Sequence, residues 1–586
     1  MIKTQWADKI PKIPLTEYPR PQMQRDNWQC LNGLWEYAVT DINDMPEAMD
    51  GQIKVPFAIE SAASGICRKF LPTEKLIYKR TFTVDDYKNE GRVLLHFEAV
   101  DWKCTVFVNG CVAGTHTGGY LPFSFDITAL LIDGENTLEV SVTDPTDTNW
   151  QQRGKQVLEP RTIWYTATSG IWQTVWLEVV SASYIKSLKI TPCTDLESVS
   201  IYVDSASNET AVVEILESDE IIKKVKINTN SENILSMPDP RLWTPEDPFL
   251  YDLKVSTTDD SVASYFGMRS VSLEPGPAGR DRLMLNKKPV FLNGPLDQGY
   301  WPESGMTPPC DDAIIFDLQG MKDLGFNTIR KHIKVEPRRW YYHADRLGLL
   351  VIQDMPNGGN GIAGALRTIT AIAFGDTLDD TYDKIKKLAD RHTDESQMNY
   401  EFELEDMLDH LHNSPAIVIW CPFNESWGQY DAVRIYEKVK KIDKSRLIDH
   451  ASGWYDQGCG DFRSIHTYKI KLKTPPKKDT RAYLISEYGG YNYLDKDHLW
   501  RDDDVCSYII FKSIDELMAA YGKLITDQVI PLIKKGLCGV IYTQLSDVEI
   551  ESNGIYTYDR KVLKFDKNKM AELHNGLFEE FIKFNK

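Results

Sequence analysis

The chain has 586 residues, which is more than one hydrophobic core usually serves, so we expect several domains. Hydrophobic residues make up 42% and charged residues 26%, an ordinary composition for a soluble globular protein. The net charge of −19, without any basic block, argues against nucleic acid or an anionic membrane as a partner.

The chain begins MIKTQWADKIPKIPLTEYPRP, which contains no apolar run of the length that a signal peptide needs. No segment approaches the roughly 20 apolar residues of a membrane-spanning helix. The ten cysteines are scattered without a C-x-x-C pair, which is typical of reduced thiols, and there is no zinc or haem signature. We therefore expect a cytoplasmic protein, unless a leader has been removed.

Residues 1 to about 182 are predicted to be all-β. Short runs of strand-forming residues at 92–100, 105–108 and 137–142 are separated by turn signals. Asn109 and Gly110 suit a two-residue hairpin turn, because both tolerate positive φ. This spacing predicts a sandwich or jelly roll. We expect its many tryptophans to serve packing rather than sugar binding.

Residues 183 to 273 are predicted to be a second, smaller β unit. Its candidate strands lie at 212–216, 223–227 and 251–255. The length of this region suits an immunoglobulin-like sandwich. No pattern in it points to chemistry, so we expect it to space and brace the other units.

From residue 274 to 586, candidate strands alternate with helices. The strands are predicted at 289–292, 326–329, 349–352, 417–420, 447–448, 464–465, 484–486 and 540–543. Asp311 and Asp312 can cap a first helix, Pro337 lies near the start of the next, and apolar residues recur at helical spacing over 432–442. Eight strands in a region of this size predict a (β/α)8 barrel. The glycine-rich loop 356–373 and the longer segment 357–413 are expected to shape its open face.

Two of these strands end in carboxylic acids. The segment IVIWCPFNESWGQ, residues 417–429, is apolar until it reaches Asn424 and Glu425, and YLISEYGG, residues 483–490, delivers Glu487. Buried parallel strands that end in polar residues are typical carriers of functional side chains. Two carboxylic acids so placed are the minimum equipment for cleaving a glycosidic bond.

In such a barrel, residues at and just past the strand ends face the active site. They are Arg330, His332, Asp354, Asn424, Glu425, His466, Tyr468, Glu487 and Gln544. Glu425 and Glu487 are the catalytic candidates, whereas Asp354 and Arg330 have the alternative of pairing structurally. The sequence contains neither a Gly-rich phosphate loop nor a G-x-S-x-G nucleophile elbow.

Ordered motifs across nearly the whole chain resemble those of glycoside hydrolase family 2, the family of β-galactosidases, β-glucuronidases and β-mannosidases. They are YPRPQMQRDNWQCLNGLWEY (18–37), VPFAIESAASGI (55–66), GGYLPFSFDIT (118–128), SGIWQTVWLE (169–178), LWTPEDPFLY (242–251), FGMRSV (266–271), MKDLGFNTIR (321–330), PFNESWGQ (422–429) and ISEYGG (485–490). The resemblance implies a jelly roll, an immunoglobulin-like sandwich and a (β/α)8 barrel, in that order.

The resemblance also implies roles for individual residues. Glu425 is expected to be the general acid/base and Glu487 the nucleophile of a retaining double displacement, with their carboxyl groups about 5–5.5 Å apart. Glu425 must begin the cycle protonated, and the nearby charge of Glu487 favours that state. Asn424 is expected to hold the sugar 2-hydroxyl, Tyr468 to orient Glu487, and Trp454 to offer an apolar platform to a sugar face.

Two departures from the family pattern concern the sugar. Where many members carry Asn-Arg-His after the first barrel strand, this chain has FLNGPLDQGYWPES (291–304), which places Asp297 there. Where β-glucuronidases of the family carry an Asn-x-Lys motif for the sugar carboxylate, VEIESNGIYTYDR (548–560) offers Glu551 instead of a lysine. A sugar carboxylate would be repelled by Glu551, which disfavours glucuronides. Glu549 and Glu551 either accept hydrogen bonds from a neutral sugar or belong to an exposed acidic loop.

The sequence therefore predicts an exo-acting β-glycosidase for a neutral sugar, with β-galactosides first. The alternatives are a β-glucuronidase, a β-mannosidase or an α-L-arabinopyranosidase of the same family. From another class, the alternative is a non-catalytic carbohydrate-binding protein, although the presence of both carboxylates argues against it. No cofactor is expected, and no ligand set establishes the metal ion that some relatives hold. The expected partner is a carbohydrate substrate, and the resemblance implies a homo-oligomer.

Overall fold

The computed structural model describes residues 2–84, 91–359, 378–501 and 505–585. Two β-rich units precede an eight-stranded parallel barrel, and each of the three has its own apolar core, so the predicted fold class is confirmed. Most of the predicted glycine-rich loop 356–373 lies outside the described residues. Among the helices described, none combines the length and the apolar character needed to cross a membrane.

The first unit is a sandwich of two antiparallel sheets. One sheet orders Trp28–Cys30, Val175–Ser181, Gly91–Phe97 and Phe123–Asp126, and the other orders Gly51–Val55, Gly33–Asp41, Glu74–Phe82, Asn136–Thr143, Lys103–Val108 and Cys111–Thr117. The predicted hairpin is confirmed, because the last two strands pair across Asn109 and Gly110, whose φ angles are 52° and 77°. All ten cysteines are free.

The tryptophans of this unit mostly serve packing, as expected, with Trp35 in the core of the unit and Trp172 in the cluster that continues into the barrel. Trp35, Trp172 and Trp176 are fully buried, whereas Trp28 and Trp164 are only partly so. The core accounts for the buried rings, since aromatic side chains contribute large apolar areas. Trp164 belongs to a segment that leaves the sandwich, residues 150–169, which we call the bridging segment.

The bridging segment carries the short strands Gln156–Val157 and Tyr165–Thr166, which pair in parallel. Near its edge, Gly170–Ile171 pairs with Val100–Asp101 of the sandwich. At its other end the backbone of Gln152 forms a bridge with Gly358 of the barrel. The segment therefore ties the first unit to a loop at the barrel mouth.

The second unit is a seven-stranded sandwich of the immunoglobulin-like kind. One sheet orders Ile185–Pro192, Ser198–Ser205 and Glu232–Ser236, and the other orders Glu220–Asn228, Thr210–Glu217, Tyr251–Ser256 and Ser261–Phe266. The three strands predicted from the sequence each lie within an observed one. A small sheet of Val271–Pro275, Asp281–Leu285 and Lys288–Pro289 leads into the barrel.

Eight parallel strands, numbered one to eight along the chain, form the barrel. They are Leu292–Asp297, Thr328–Lys331, Leu350–Asp354, Ile417–Cys421, Leu447–Ile448, Phe462–Tyr468, Ala482–Gly489 and Leu537–Thr543. Strand one pairs with strand eight, and the seam between strands five and six is bridged by a bond from Asp461 N to Ile448 O. The predicted (β/α)8 barrel is thus confirmed, with its functional rim at the C-terminal strand ends.

Helices cover the outside of the barrel. The α-helices are Asp311–Asp323, Arg338–Leu347, Asp383–Leu388, Asp394–Leu411, Ala432–Ile442, Ile514–Lys523, Ile530–Ile533 and Lys567–Asn585, and a π-helical stretch spans Leu524–Val529. Short 3-10 helices (Ala7–Lys9, Ala62–Ser64, Thr128–Leu130 and Lys496–His498) and the strand pair Tyr491–Tyr493 and Ile509–Phe511 complete the described elements. The helix predicted over 432–442 is confirmed, and Pro337 directly precedes its helix as expected.

The predicted position of the first barrel strand is wrong. Asn286 and Lys287 both have positive φ and turn the chain, so that Lys288–Pro289 pairs back onto Asp281–Leu285. The barrel strand begins only at Leu292. The run that the prediction assigned to one strand is therefore divided between the end of this hairpin and the start of the barrel strand.

The predicted helix cap at Asp311 and Asp312 is also wrong. Both residues lie inside the helix, in its first turn, where acidic side chains favour the N-terminal end of the dipole. Asp311 accepts hydrogen bonds from Arg339 at 2.6 Å and shares one with His343, also at 2.6 Å. These tertiary partners compete with capping for the same carboxylate.

Candidate active site

The strand ends bring the predicted site residues to one rim. Four strands carry site residues themselves: strand two carries Arg330, strand three Asp354, strand six His466 and Tyr468, and strand seven Glu487. The other site residues lie in the loops after the strands: His332 after strand two, Asn424 and Glu425 after strand four, Trp454 after strand five and Gln544 after strand eight. Because parallel strands in a barrel all end at the same rim, residues far apart in sequence become neighbours there.

Glu425 and Glu487 face each other across this rim. One carboxylate oxygen of each lies within 4.8 Å of the other, together with a ring nitrogen of His466. An oxygen-to-oxygen separation of this size agrees with the close carboxyl pair of a retaining enzyme, whose groups lie about 5–5.5 Å apart, rather than with the roughly 6.5–9.5 Å of an inverting pair. Both side chains are largely buried, with 15% of Glu425 and 6% of Glu487 exposed.

Glu487 is held as a carboxylate by the groups around it. Burial acts to raise its pKa, but the electrostatic influence of His466, Arg330 and His332 and the hydrogen bond from Tyr468 outweigh burial and lower it. Arg330 donates to Oε1 at 3.2 Å, and the Tyr468 hydroxyl donates to Oε2. An ionised, fixed carboxylate is what a nucleophile at this position requires.

Arg330 is the central clamp of the site and is fully buried. Its Nε donates to Asp354 at 3.0 Å, and its Nη2 donates to the side-chain oxygen of Asn424 at 2.8 Å. Burial works against its charge, but Asp354 and Glu487 keep the pKa of Arg330 above its ordinary value. The predicted alternative of structural pairing is thus observed for Arg330 and Asp354, and Arg330 also holds Asn424 and Glu487 in place.

Asn424 has one unused donor. Its oxygen is taken by Arg330, but its side-chain NH2 is sealed from solvent and has no partner among the described residues. A buried donor without an acceptor costs free energy unless a ligand supplies the acceptor. The position therefore suits a sugar hydroxyl beside the two carboxylates.

Glu425 sits in a backbone conformation that few non-glycine residues adopt. Its φ is 49°, that of Ser426 is 64°, and its backbone N–H donates to Ser452 O at 2.9 Å. The carboxylate shares a hydrogen bond of 2.8 Å with His466 Nδ1. Strained backbone of this kind persists where the surroundings fix it, commonly at active sites.

His332 and Trp454 border the pair. Burial is the main cause that lowers the pKa of His332, whose Nδ1 lies 3.0 Å from Asp354 Oδ2. The ring of Trp454 meets His466 edge-on with centroids 5.7 Å apart, and its indole N–H has no partner in the described part of the chain. Trp454 thus packs against the histidine that bonds to Glu425, and its buried donor is without a described partner.

Three predicted site residues are already engaged by protein groups. Asp297 lies 2.5 Å from Lys331 Nζ and also accepts a hydrogen bond from Gly299 N at 2.9 Å. The amide of Gln544 bonds with Gln298 at 2.8 Å and with Asn553 at 3.0 Å. Glu551 accepts hydrogen bonds from Tyr165 and Asn553. All three side chains are buried next to the rim, and their hydrogen bonds hold the neighbouring loops in place.

The acidic pair in the loop after strand eight is not exposed. Only 7% of Glu549 and 2% of Glu551 is accessible, because the bridging segment covers both. Thr166 N donates to Glu549 Oε1 at 2.8 Å, and burial raises the pKa of Glu549. The alternative of an exposed acidic loop is therefore wrong.

Sequence reasoning missed the part that the bridging segment plays. The ring of Trp164 stacks on that of Trp427, with centroids 4.7 Å apart, and the guanidinium of Arg153 lies 4.9 Å from the ring centre of Trp164. Trp427 lies three residues after Asn424, in the loop that follows strand four. Tyr508 was also missed, although it stacks on Tyr468 at 4.1 Å. No local signal marks these residues, since their partners lie tens to hundreds of positions away.

Replacing Tyr468 by phenylalanine is expected to lower kcat/KM by about 10- to 100-fold, the value of one hydrogen bond to a charged group. Losing this hydroxyl also raises the pKa of Glu487, so activity should fail at a higher pH on the acid side than in the parent. A pH profile of kcat/KM measures both effects.

Tyr488→Phe is the matched control for this change. Tyr488 is the next residue after Glu487, and it points to the other side of strand seven, where its ring packs against Tyr542. Its profile should overlay that of the parent. If the acid side of the kcat/KM profile does not move to higher pH in Tyr468→Phe, the hydrogen bond from Tyr468 to Glu487 is contradicted.

The cluster of Glu425, His466 and Glu487 also has the spacing of a metal site. We assign no metal to it, because both oxygens of Glu487 already accept hydrogen bonds, one from Arg330 and the other from Tyr468. A cation between the two carboxylates would occupy the space that a reacting sugar needs. Within the described residues, no other cluster of His, Cys, Asp and Glu has ligand spacing.

Comparison with known protein families gives three matches, and all three are to the same family. Residues 52–180 match the sugar binding domain of glycosyl hydrolases family 2, residues 183–269 match the domain described as glycosyl hydrolases family 2, and residues 279–495 match the TIM barrel domain of the same family. The three matches follow each other along the chain in the order of the three units described above.

Individual relatives are more distant. The β-galactosidase of Vibrio vulnificus strain YJ016 is 25% identical over 532 residues, which cover 78% of this chain and 47% of the relative. This chain thus spans about half the length of the curated relatives that it matches. Among solved structures, the β-D-glucuronidase of Dictyoglomus thermophilum aligns over 96% of this chain and 98% of its own, with a TM-score of 0.73 and 17% identity. A β-galacturonidase from Eisenbergiella tayi aligns over 95% and 99%, with a TM-score of 0.68 and 19% identity.

Proposed function

Because this chain belongs to glycoside hydrolase family 2, we propose that it is a retaining exo-β-glycosidase that releases the terminal non-reducing sugar of its substrate. The observation that carries the proposal is the close pair of Glu425 and Glu487 at the barrel rim. The pair lies beside the unused donor of Asn424, which suits a sugar hydroxyl.

In the first half of the reaction, Glu487 attacks the anomeric carbon. Its oxygen forms the new bond to carbon while the bond to the aglycone oxygen breaks, and Glu425 gives its proton to that oxygen. Arg330 and Tyr468 hold Glu487 in place for this attack. The product of this step is a glycosyl ester on Glu487 and a free aglycone.

In the second half, water replaces the ester. Glu425, now a carboxylate, takes a proton from water as the water oxygen attacks the anomeric carbon from the face that the aglycone left. Glu487 departs as a carboxylate, and Glu425 is again protonated. His466 fixes Glu425 on one oxygen throughout, which leaves the other free for proton transfer.

Two sugar classes are candidates. The family relatives named β-galactosidases support a neutral β-galactoside, which the sequence also favours. Residues 548–560 offer Glu551 in place of a lysine for a sugar carboxylate, but Lys155 of the bridging segment adds a cation from another domain. We therefore propose β-galactosides and β-uronides as the substrates to test first.

A panel of nitrophenyl glycosides tests the proposed function: β-galactoside, β-glucuronide, β-galacturonide, β-mannoside, β-glucoside and α-L-arabinopyranoside. We expect turnover of at least one member. The sugar should be released first as its β-anomer, which NMR detects. Release of the α-anomer would overturn the retaining mechanism. Binding of a sugar without turnover of any member would favour a non-catalytic carbohydrate-binding protein.

A further inference from the structure

Lys155 differs from the other buried lysines of the described chain. Lys331, Lys334 and Lys564 are each almost inaccessible, and each donates hydrogen bonds to carboxylates or carbonyls. Lys155 is only 6% exposed, yet its ammonium has neither an ion pair nor a hydrogen bond within the part of the chain that the structure describes. A buried charge is normally paired, because removing it from water is costly.

The backbone around Lys155 is fixed against the barrel mouth. Arg153 N and Gly154 N donate to Asn357 O at 3.0 and 2.9 Å, and Asn357 in turn donates to Asn424 O at 3.0 Å. Gly154 lies so close to the barrel that a Cβ there would meet Ile333 O at 2.8 Å. The loop of Lys155 is therefore part of the rim and shares a hydrogen-bonded path with Asn424.

The side chain of Lys155 lies over the ring of Tyr165, next to the rim. Its Nζ lies 5.5 Å from the ring centre of Tyr165, whose hydroxyl donates to Glu551. Its positive charge is among the influences that lower the pKa of His332. The ammonium is also not among the unpartnered polar atoms that are sealed from solvent. Lys155 thus carries an ammonium that is buried but not sealed from solvent, on the segment that forms part of the rim.

We propose that Lys155 is the specificity-determining cation of this site and receives an anionic group on the sugar, a carboxylate or a sulfate ester. The proposal rests on the proposed glycosidase function and deepens it by naming the substrate class. The anionic group supplies the partner that the protein withholds from Lys155.

Within the described residues, Lys155 is the cation near the rim that no protein group engages, since Arg153 of the same segment donates to Gln156 O and Gly359 O. Glu425, Glu487 and Glu551 would repel a negative substrate, and Arg330 is already used by Asp354, Glu487 and Asn424. A neutral sugar would leave the charge of Lys155 without a counter-ion. An anionic sugar pairs with it and gains discrimination over its neutral analogue.

The first test is direct binding, which does not require turnover. Isothermal titration compares D-glucuronate, D-galacturonate and galactose 6-sulfate with D-galactose and D-glucose, for the parent, Lys155→Met and Lys155→Arg. We expect at least one anionic sugar to bind more tightly than its neutral counterpart, and Lys155→Met to weaken that binding by about 100-fold. Lys155→Arg should keep the preference, and binding of the neutral sugars should change by less than about threefold.

Lys103→Met is the control, since Lys103 is an exposed lysine of the same sandwich, and its binding should match the parent. If no anionic sugar binds better than its neutral counterpart, or if Lys155→Met weakens neutral and anionic sugars alike, the proposal is overturned. The uronates and the sulfated sugar separate the two sources of negative charge.

Turnover of the matching nitrophenyl glycosides separates this proposal from the proposed function. Lys155-dependent binding of an anionic sugar without any turnover would refute the glycosidase and leave the cation site standing. Turnover of a neutral glycoside, unaffected by Lys155→Met and without binding of anionic sugars, would refute the cation site alone. Thermal melting of each variant shows whether it is folded.

Discussion

Glu487→Gln is expected to lower kcat/KM on the best glycoside by at least about 10⁴-fold, because removing a covalent nucleophile leaves only binding and electrostatics to accelerate the reaction. Glutamine keeps the size of the side chain and can still bond to Tyr468, so binding of the sugar should persist. Steady-state kinetics and titration of the released monosaccharide measure the two effects separately. Retention of a tenth or more of the parent activity would remove Glu487 from its role.

Glu60→Gln is the matched control for this loss. Glu60 is a glutamate of the first sandwich whose pKa burial raises to about 8, so glutamine imitates the neutral form that it already has. Its variant should retain parent activity.

Added azide provides a second readout for Glu487, in a Glu487→Gly variant with room for the anion. Azide should attack the anomeric carbon from the vacated side while the aglycone leaves with the proton of Glu425. The expected product is an α-glycosyl azide, of inverted configuration. A β-azide from this variant would place the nucleophile elsewhere.

Glu425→Ala is expected to have an effect that depends on the leaving group. A disaccharide or alkyl glycoside needs protonation as it departs, so kcat/KM should fall by about 10²- to 10⁴-fold. A dinitrophenyl glycoside has a leaving group acidic enough to depart alone, so its kcat/KM should change little while its kcat falls with the slowed second step. Kinetics on the two substrates, in parent and variant, measure this contrast.

The same variant provides a stereochemical check. Azide should intercept the glycosyl ester on Glu487 from the face that Glu425 no longer serves, which produces a β-glycosyl azide of retained configuration. Equal losses on good and poor leaving groups would contradict the acid/base role. Because the carboxylate of Glu425 has its only described hydrogen bond with His466, the melting temperature should move little.

The sequence predicted the barrel and its two acids because both signals are local. A run of apolar residues that ends in Asn424 and Glu425, or in Glu487, reports burial and the strand end within a few positions. The hairpin at Asn109 and Gly110 was predictable for the same reason, since turn chemistry depends on the residues of the turn itself.

Errors arose where a partner distant in sequence competed with a local preference. Asp311 has the chemistry of a helix cap, but Arg339 and His343 engage its carboxylate. Glu551 was predicted to face a sugar or solvent, but Tyr165, 386 positions away, donates to it. Local sequence contains no information on such pairings, which form only when the domains pack.

The sequence by itself determined which chemistry is available: two carboxylic acids at strand ends, an asparagine beside one of them, and a tyrosine and histidines near the other. Only the tertiary structure decided how they act together. The closed barrel brings Glu425 and Glu487 within 4.8 Å, Arg330 binds strands three, four and seven at one point, and the first sandwich places Lys155 at the rim. Distances between side chains depend on how strands and domains close on each other, and that closure is a property of the whole packed chain rather than of any segment.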